Sequence, residues 1–388
     1  MVDAVRTRVD LLGAAADLVP LLQANALRAA REGRVPEDVL AALREAGLLR
    51  MLRPARFGGH EVDMVTKSAV LAELAKGCGA TSWVAVIHND ADFLLGRLPD
   101  HLQELVFADP GARTTATLNP MGTAERSAGG YVVTARWPFN TGSLGADWAV
   151  QPTLRDGEPV WALIPYSDLV VEDDWDVTGM RASASNTVRA EGVFVPEDRV
   201  VPQWDVLGAT HLSERNAGNR LYGIPLLMQL ITGGPAPFTG MAATALRLAR
   251  EQLGDKPISY TAYQSRRDAP ITHHQIAEAA LLIEGADALA HAASELIDRC
   301  SVDGVYGPED KPRVWGLVSF ATRQYTQAAD ILRSMAGGAG LRSGTALSLA
   351  LRDTQALSAH AAMMPATGME HYGRALCGLE PTFPPLFA

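Results

Sequence analysis

Two histidines in this 388-residue chain sit where an imidazole could move a proton. His88 lies in WVAVIHNDADF and His360 closes LRDTQALSAH. Imidazole titrates near neutrality and can take or give a proton, so each suits acid–base chemistry. As a neutral base, His360 would accept a proton from a weakly acidic group. For His88 the alternative is a hydrogen-bonded core histidine. His371 and the pair His273-His274 have weaker claims. The pair is adjacent rather than four apart, so it does not share one helical face as metal ligands would, and no metal is expected. Cys78, Cys300 and Cys377 are scattered without paired spacing. That fits a reducing, cytoplasmic setting and excludes a cysteine-based zinc site. Each reads as a small apolar residue rather than a nucleophile. Gly337-Gly338-Ala339-Gly340 follows a helical run, not a strand, so it reads as a helix stop and no NAD(P)H site is expected.

The elements that must position these groups change character twice. Residues 1–112 read as a helical domain. Its first segment is an amphipathic helix with charges inside its apolar pattern, not a signal peptide. Pro36 opens EDVLAALREAGLL, whose stripe is Val39, Leu40, Leu43 and Leu48, with Gly47 near the stop. RPARFGGHEVD breaks the pattern, helical spacing resumes from Met64 to Leu74, and ATSWVAVIHNDADFLLGRL mixes small and aromatic residues that could line a cavity. Residues 113–204 alternate β-branched and aromatic residues with turn formers and read as a small antiparallel β-barrel, with Asp156-Gly157 as a hairpin turn. Residues 205–388 read as long Ala-rich amphipathic helices forming a bundle, followed by a tail, GLEPTFPPLFA, that its prolines keep non-helical. The net charge of -10 argues against nucleic acid and against an anionic membrane surface. No apolar run is long enough to span a bilayer.

Four motifs recur in a telling order. RPARFGGHEVD follows the second helix, GGYVVTARWPFNTGSLGADW opens the barrel, GMRASASNTVRAEGVFVPEDRVV closes it, and LRDTQALSAH ends the bundle. The chain resembles the acyl-CoA dehydrogenase superfamily over essentially its whole length. The resemblance implies an α+β, mostly α fold: N-terminal helical domain, central antiparallel β-barrel, C-terminal four-helix bundle. It implies a flavin between barrel and bundle, and a homotetramer, which the Ala-rich helix faces also suit.

Departures from the dehydrogenase pattern point to the flavin-dependent monooxygenase branch. Eight residues after Arg352-Asp353, where a dehydrogenase base would lie, stands Ala361, which cannot accept a proton. The neighbouring His360 falls two turns further along the same expected helix, and a histidine near this point is typical of the monooxygenases. Glu370 sits in no matching motif. The segment QSRRDAPITHHQ lacks the Phe-Gly of the dehydrogenase pyrophosphate grip, although Arg266 and Arg267 remain as phosphate partners. Weaker grip suits a reduced flavin, FMN or FAD, that arrives by diffusion.

The resemblance carries further roles. His88 would face substrate or flavin. Asn119, in ATLNPMG, would donate to the flavin's oxygen adduct, or simply form a turn before Pro120. Trp137, Phe139, Thr141, Gly142 and Ser143 would run along the isoalloxazine, with the Thr141 hydroxyl nearest N5 and Ser143 the second choice. Gly142 would let the backbone approach the ring. Trp175, Arg181, Ser183 and Ser185 would cover the dimethylbenzene side and ribityl chain. For Trp175 the alternative is barrel core, and for Arg181 a structural ion pair. The implied activity is the oxygenase component of a two-component system. It uses reduced flavin from a separate flavin reductase, and O2 through a C4a-hydroperoxide, to hydroxylate an aromatic or polyketide-like small molecule. The rivals are an N-oxygenase of an amine, a dehydrogenase with a relocated base, and a non-catalytic subunit.

Overall fold

The computed structural model describes residues 2–380, apart from residues 209, 255 and 256. Five helices come first: α1 (Val2–Glu32), α2 (Glu37–Glu45), α3 (Met64–Ala75), α4 (Gly79–Leu95) and α5 (Asp100–Phe107). Pro36 caps α2 in an extended conformation, Glu37 and Asp38 favour the positive end of the helix, and Val39, Leu40 and Leu43 turn inward. Gly47 then takes φ 77, which stops the helix. Asp63 caps α3 by accepting from the Thr66 N–H at 2.6 Å. Helix α4 is buried on nearly every side.

Eight strands follow: β1 (Thr114–Ala116), β2 (Thr123–Ser127), β3 (Gly130–Asn140), β4 (Trp148–Arg155), β5 (Glu158–Pro165), β6 (Val170–Val171), β7 (Asn186–Pro196) and β8 (Val200–Pro202). They form one antiparallel-rich sheet in the order β6-β7-β3-β2-β4-β5-β8, with β1 on β4. The pairings β1–β4 and β2–β4 are parallel, a detail that alternation in the sequence does not reveal. The β4–β5 hairpin turns on Asp156 and Gly157, both at positive φ, as a two-residue loop requires. The sheet wraps an inner core around Tyr131, Val133, Trp137, Val160 and Val188, while Val150, Trp161, Leu163 and Val201 on its strands join the helical core. This corrects the expectation for Trp137. Its indole is 1% exposed and donates to the Pro152 carbonyl at 2.6 Å, which leaves no face for a cofactor.

The remaining helices are α6 (Leu226–Gly233), α7 (Pro235–Glu251), α8 (Pro270–Asp303), α9 (Asp310–Ala336), α10 (Ala346–Leu357) and α11 (Pro365–Leu376). Helices α7, α8, α9 and α10 pack on one another, and α7 also seats α3 and α4. Between β8 and α6 runs a long irregular connection. Arg97, buried at the end of α4, holds it by donating to five carbonyls: Val206, Gly208, Thr210, Tyr222 and Ile224. The proline-rich part of the tail, from residue 381, lies outside the described residues. No described helix is long and apolar enough to cross a membrane.

One correction bears on the chemistry: His360 is not on α10. That helix ends at Leu357, where the Ser358 hydroxyl takes the Gln355 carbonyl at 2.7 Å, and Pro365 starts a new helix. His360 sits in the turn between them, its carbonyl accepting from Met363 and Met364.

Barrel and bundle are latched at one point. The Met180 N–H donates to Asp353 of α10 at 2.6 Å, and Gly179 lies so close to the Arg352 carbonyl that a Cβ would collide with it. Both partners of the hydrogen bond are buried. Replacing Asp353→Ala leaves the Met180 N–H unpaired. It is expected to cost about 1–3 kcal/mol, read as a lower denaturant midpoint; an unchanged midpoint would show that the latch contributes nothing.

Candidate functional site

Four elements converge beside the latch: α4, the turn after β3, the barrel-closing segment 179–185, and the turn after α10. Trp83 of α4 joins three of them. Its indole N–H donates to Thr141 Oγ1 at 3.2 Å, and its ring meets His360 edge-on with centroids 5.0 Å apart. Thr141 Oγ1 is 2.8 Å from Ser185 Oγ, which is 2.7 Å from Ser183 Oγ. The indole can only donate, so it occupies an acceptor position on Thr141 and leaves that hydroxyl's hydrogen for Ser185 or for a ligand.

The backbone here is held in rarely used conformations. Phe139, Met180 and Ala184 all have positive φ, at 63, 56 and 45, and Gly142 sits at 77. Such strain in non-glycine residues gathers where a site over-determines the chain. The Gly142 N–H donates to the Ser183 carbonyl at 2.8 Å, which sews the two loops together. Ser143 is spent within the fold, its hydroxyl donating to the Ala184 carbonyl at 2.8 Å. Phe139 is 70% exposed at the barrel edge and packs edge-on against Trp175 at 6.2 Å. Trp175 is therefore not barrel core; it is half-buried and donates to the Met180 carbonyl at 3.2 Å. Arg181 takes the structural role. It donates to the Ala30 carbonyl, to Asp176 and to the Val177 carbonyl, pinning the segment to the end of α1.

His88 lies deeper. Its Nδ1 is 2.9 Å from the Thr114 carbonyl, and a carbonyl only accepts, so Nδ1 carries the proton. Burial pushes its pKa down to about 4, outweighing the Thr114 bond, so the ring is neutral at pH 7. Nε2 is then a bare acceptor, buried and without a partner among the described residues. It lines a cleft with Val35, Leu40, Val84 and Gly142. His360 carries the opposite arrangement. The Ala362 N–H reaches its Nδ1 at 3.3 Å, which makes Nε2–H the free donor. The His360 ring is exposed to solvent on one side, and the protein packed around it pushes its pKa down from the usual imidazole value.

The other expected groups fall outside. Asn119 sits on an exposed bend after β1, in keeping with the turn reading. Its chain neighbours are taken by the barrel, where Gln203 holds the Leu118 carbonyl at 2.9 Å. His273 and His274 are exposed at the start of α8, His371 is buried against Trp315, and Arg266 caps the end of α9 at the Met335 carbonyl. Ala361 and Glu370 are exposed. Of the buried carboxylates, Asp90 pairs with Lys67 and Gln229, Asp92 with Arg53, and Asp353 with Met180. Sequence reasoning missed Trp83 and Asp353 as connectors. Because α4 is buried all round, no periodicity marks which of its faces meets the barrel.

Because the folded state keeps His88 neutral, its contribution to stability is present above pH 6.5 and is lost as pH falls from 6.5 to 4. Asp92, Asp298 and Asp353, pushed up to about 6 by burial, act oppositely: their contribution is lost as pH rises through 4 to 6. Comparing natural protein with His88→Asn isolates the histidine. The stability advantage of the natural protein should narrow between pH 7 and pH 4.5 in denaturant titrations, and a constant gap would refute the assignment.

The comparisons agree with the geometry. The N-terminal domain of acyl-CoA dehydrogenases matches residues 15–93, and their C-terminal domain matches residues 233–365. The chain is 31% identical to the flavin-dependent monooxygenase oxygenase subunit HsaA of Rhodococcus jostii, over 94% of this chain and 97% of that protein. It is 28% identical to the oxygenase component of the FADH(2)-dependent resorcinol hydroxylase of a Rhizobium species, over 97% and 96%. The structure of XiaF from a Streptomyces species, in complex with FADH2 and glycerol, superposes with a TM-score of 0.91 at 29% identity, covering 98% of each chain. This chain therefore belongs to the acyl-CoA dehydrogenase family, in its branch of flavin-dependent monooxygenase oxygenase components.

Proposed function

We propose that this oxygenase component hydroxylates an aromatic, phenol-bearing small molecule, and that His88 and His360 divide the proton handling between them. The observation that carries the reading is the buried, unpartnered Nε2 of a neutral His88 at the foot of an apolar cleft. The relatives named above are a resorcinol hydroxylase component and HsaA, and a p-hydroxyphenylacetate 3-hydroxylase component from Acinetobacter baumannii is 24% identical.

The residues present fit a flavin. Thr141 offers a hydroxyl with one lone pair taken by Trp83 and its hydrogen free to be given, Gly142 offers backbone without a Cβ, and Phe139 with the half-buried Trp175 offers an aromatic edge. Ser183 and Ser185 extend the hydroxyl chain, and Ser143 supports it from behind. Reduced flavin, when bound, supplies the electrons that activate O2, so that one oxygen atom enters the substrate and the other leaves as water. His88 Nε2 accepts the hydrogen bond of the substrate hydroxyl and draws density onto the ring that must attack. His360 Nε2–H donates, which suits protonation of the departing oxygen. This reverses the expected assignment of His360 as the base. The acceptor would equally receive an amine N–H, so oxygenation at nitrogen is the alternative.

Electrons arrive from a separate reductase, and either FMN or FAD serves. We place the protein in the cytoplasm as a homotetramer, for which exposed Leu281 and Ile271 on α8 are contact candidates.

The decisive experiment supplies chemically reduced flavin, a phenol and 18O2. Label from the gas is expected in the product; unlabelled product refutes oxygen insertion. His88→Ala and His360→Ala should each lower product formation roughly 10²-fold, with hydrogen peroxide rising in its place. Product yields equal to the natural protein's would remove the imidazoles from the mechanism.

A further inference from the structure

A row of buried hydroxyls ends on Thr141. Ser183 Oγ is 2.7 Å from Ser185 Oγ, and Ser185 Oγ is 2.8 Å from Thr141 Oγ1. From the other side the Trp83 indole N–H donates to Thr141 at 3.2 Å. All four residues are buried. A hydroxyl has one hydrogen and two lone pairs to offer. Trp83 takes one lone pair of Thr141, because an indole N–H can only donate. The bond to Ser185 takes either the Thr141 hydrogen or its second lone pair. A third partner of Thr141 therefore meets whatever the Ser185 bond leaves.

This makes the row two-way. When hydrogens point from Ser183 through Ser185 to Thr141, the Thr141 hydrogen is left over and asks for an acceptor. When they point from Thr141 through Ser185 to Ser183, a lone pair is left over and asks for a donor. Thr141 cannot accept from Trp83, Ser185 and a ligand at once, so the two directions exclude each other. Both serine hydroxyls rotate to suit either direction, so the third partner decides between them. Reduced flavin carries a hydrogen on N5 that oxidised flavin lacks. The same ring nitrogen is thus a donor in one state and an acceptor in the other.

We infer that Ser185, acting through Thr141, favours the reduced state of the flavin. It takes the Thr141 hydrogen and so frees a Thr141 lone pair for the N–H of the reduced ring. Toward oxidised flavin it is dispensable, because Thr141 then donates to the ring and needs no acceptor behind it. An empty lone pair costs less than a stranded hydrogen. Ser185 is therefore a positioning residue that distinguishes the two states. This rests on the reading above that seats the flavin against Thr141.

The test titrates the natural protein and its variants under nitrogen with oxidised and with dithionite-reduced flavin, FMN and FAD in turn. The two dissociation constants are compared for each variant. In Ser185→Ala, reduced flavin should bind roughly three- to tenfold more weakly, the range of one neutral hydrogen bond, while oxidised flavin should change by less than about twofold. A fivefold loss confined to the reduced state lowers the potential of the bound flavin by about 20 mV, which a redox titration reads. Ser185→Thr, which restores a hydroxyl, should return most of the difference. Thr141→Val should weaken both states. Retained binding of oxidised flavin shows that Ser185→Ala is folded. Equal weakening of both states by Ser185→Ala, or weakening of neither, would overturn the inference. The outcomes separate it from the reading beneath it. If Thr141→Val weakens binding but Ser185→Ala does not distinguish the states, the seat at Thr141 stands and the two-way row is rejected. If Thr141→Val leaves both affinities unchanged, the flavin is not seated against Thr141 and both readings fall.

Discussion

The indole N–H of Trp83 is directed at the hydroxyl of Thr141, and much of the site's order follows from that bond. Indole has no lone pair to offer, so the direction of the bond is not negotiable. It orients the hydroxyl chain through Ser185 and Ser183 from one end. The same ring supports His360, which lies in a turn and has no helix to hold it. A single side chain on a fully buried helix thus positions groups from the barrel and from the far end of the bundle.

That arrangement needs the barrel and the bundle to stay in register. The barrel keeps an inner cluster of its own, while Val150, Trp161, Leu163 and Val201 on its strands join the helical core; that apolar contact holds the two together without fixing their register by itself. Specific contacts do. Asp353 accepts from Met180, Gly179 admits the Arg352 carbonyl, and Arg181 grips the end of α1. The segment they hold carries two non-glycine residues in the left-handed region, each costing on the order of 1 kcal/mol. The surrounding contacts must offset that cost, and they are what keep Ser183 and Ser185 against Thr141.

Burial keeps the His88 imidazole neutral, and the remaining hydrogen bonds of the two rings favour opposite tautomers. One is an acceptor and one a donor, from the same residue type, because one backbone neighbour is a carbonyl and the other an N–H. No carboxylate is needed for either task, and the buried carboxylates around α4 and α10 are consumed in ion pairs and in the latch.

The order of elements was legible in the chain: apolar period, capping residues such as Pro36 and Asp63, and the Asp156-Gly157 turn are local signals that report local structure. The motifs singled out Thr141, Gly142, Ser183 and Ser185 by resemblance, and the fold brings their two segments into contact through the Thr141–Ser185 hydrogen bond and the Gly142 N–H on the Ser183 carbonyl. What the sequence could not contain was who meets whom. Trp137 and Trp175 look alike in a strand-rich stretch, yet one fills the barrel and the other packs at its edge. His360 lost its helix to the Ser358 hydroxyl and to Pro365, and Asn119 became a bend. The tautomers of His88 and His360 depend on atoms 26 residues away in one case and two in the other. Local propensity is written along the chain; long-range contact, and the burial that tunes an imidazole, exist only once the chain has folded.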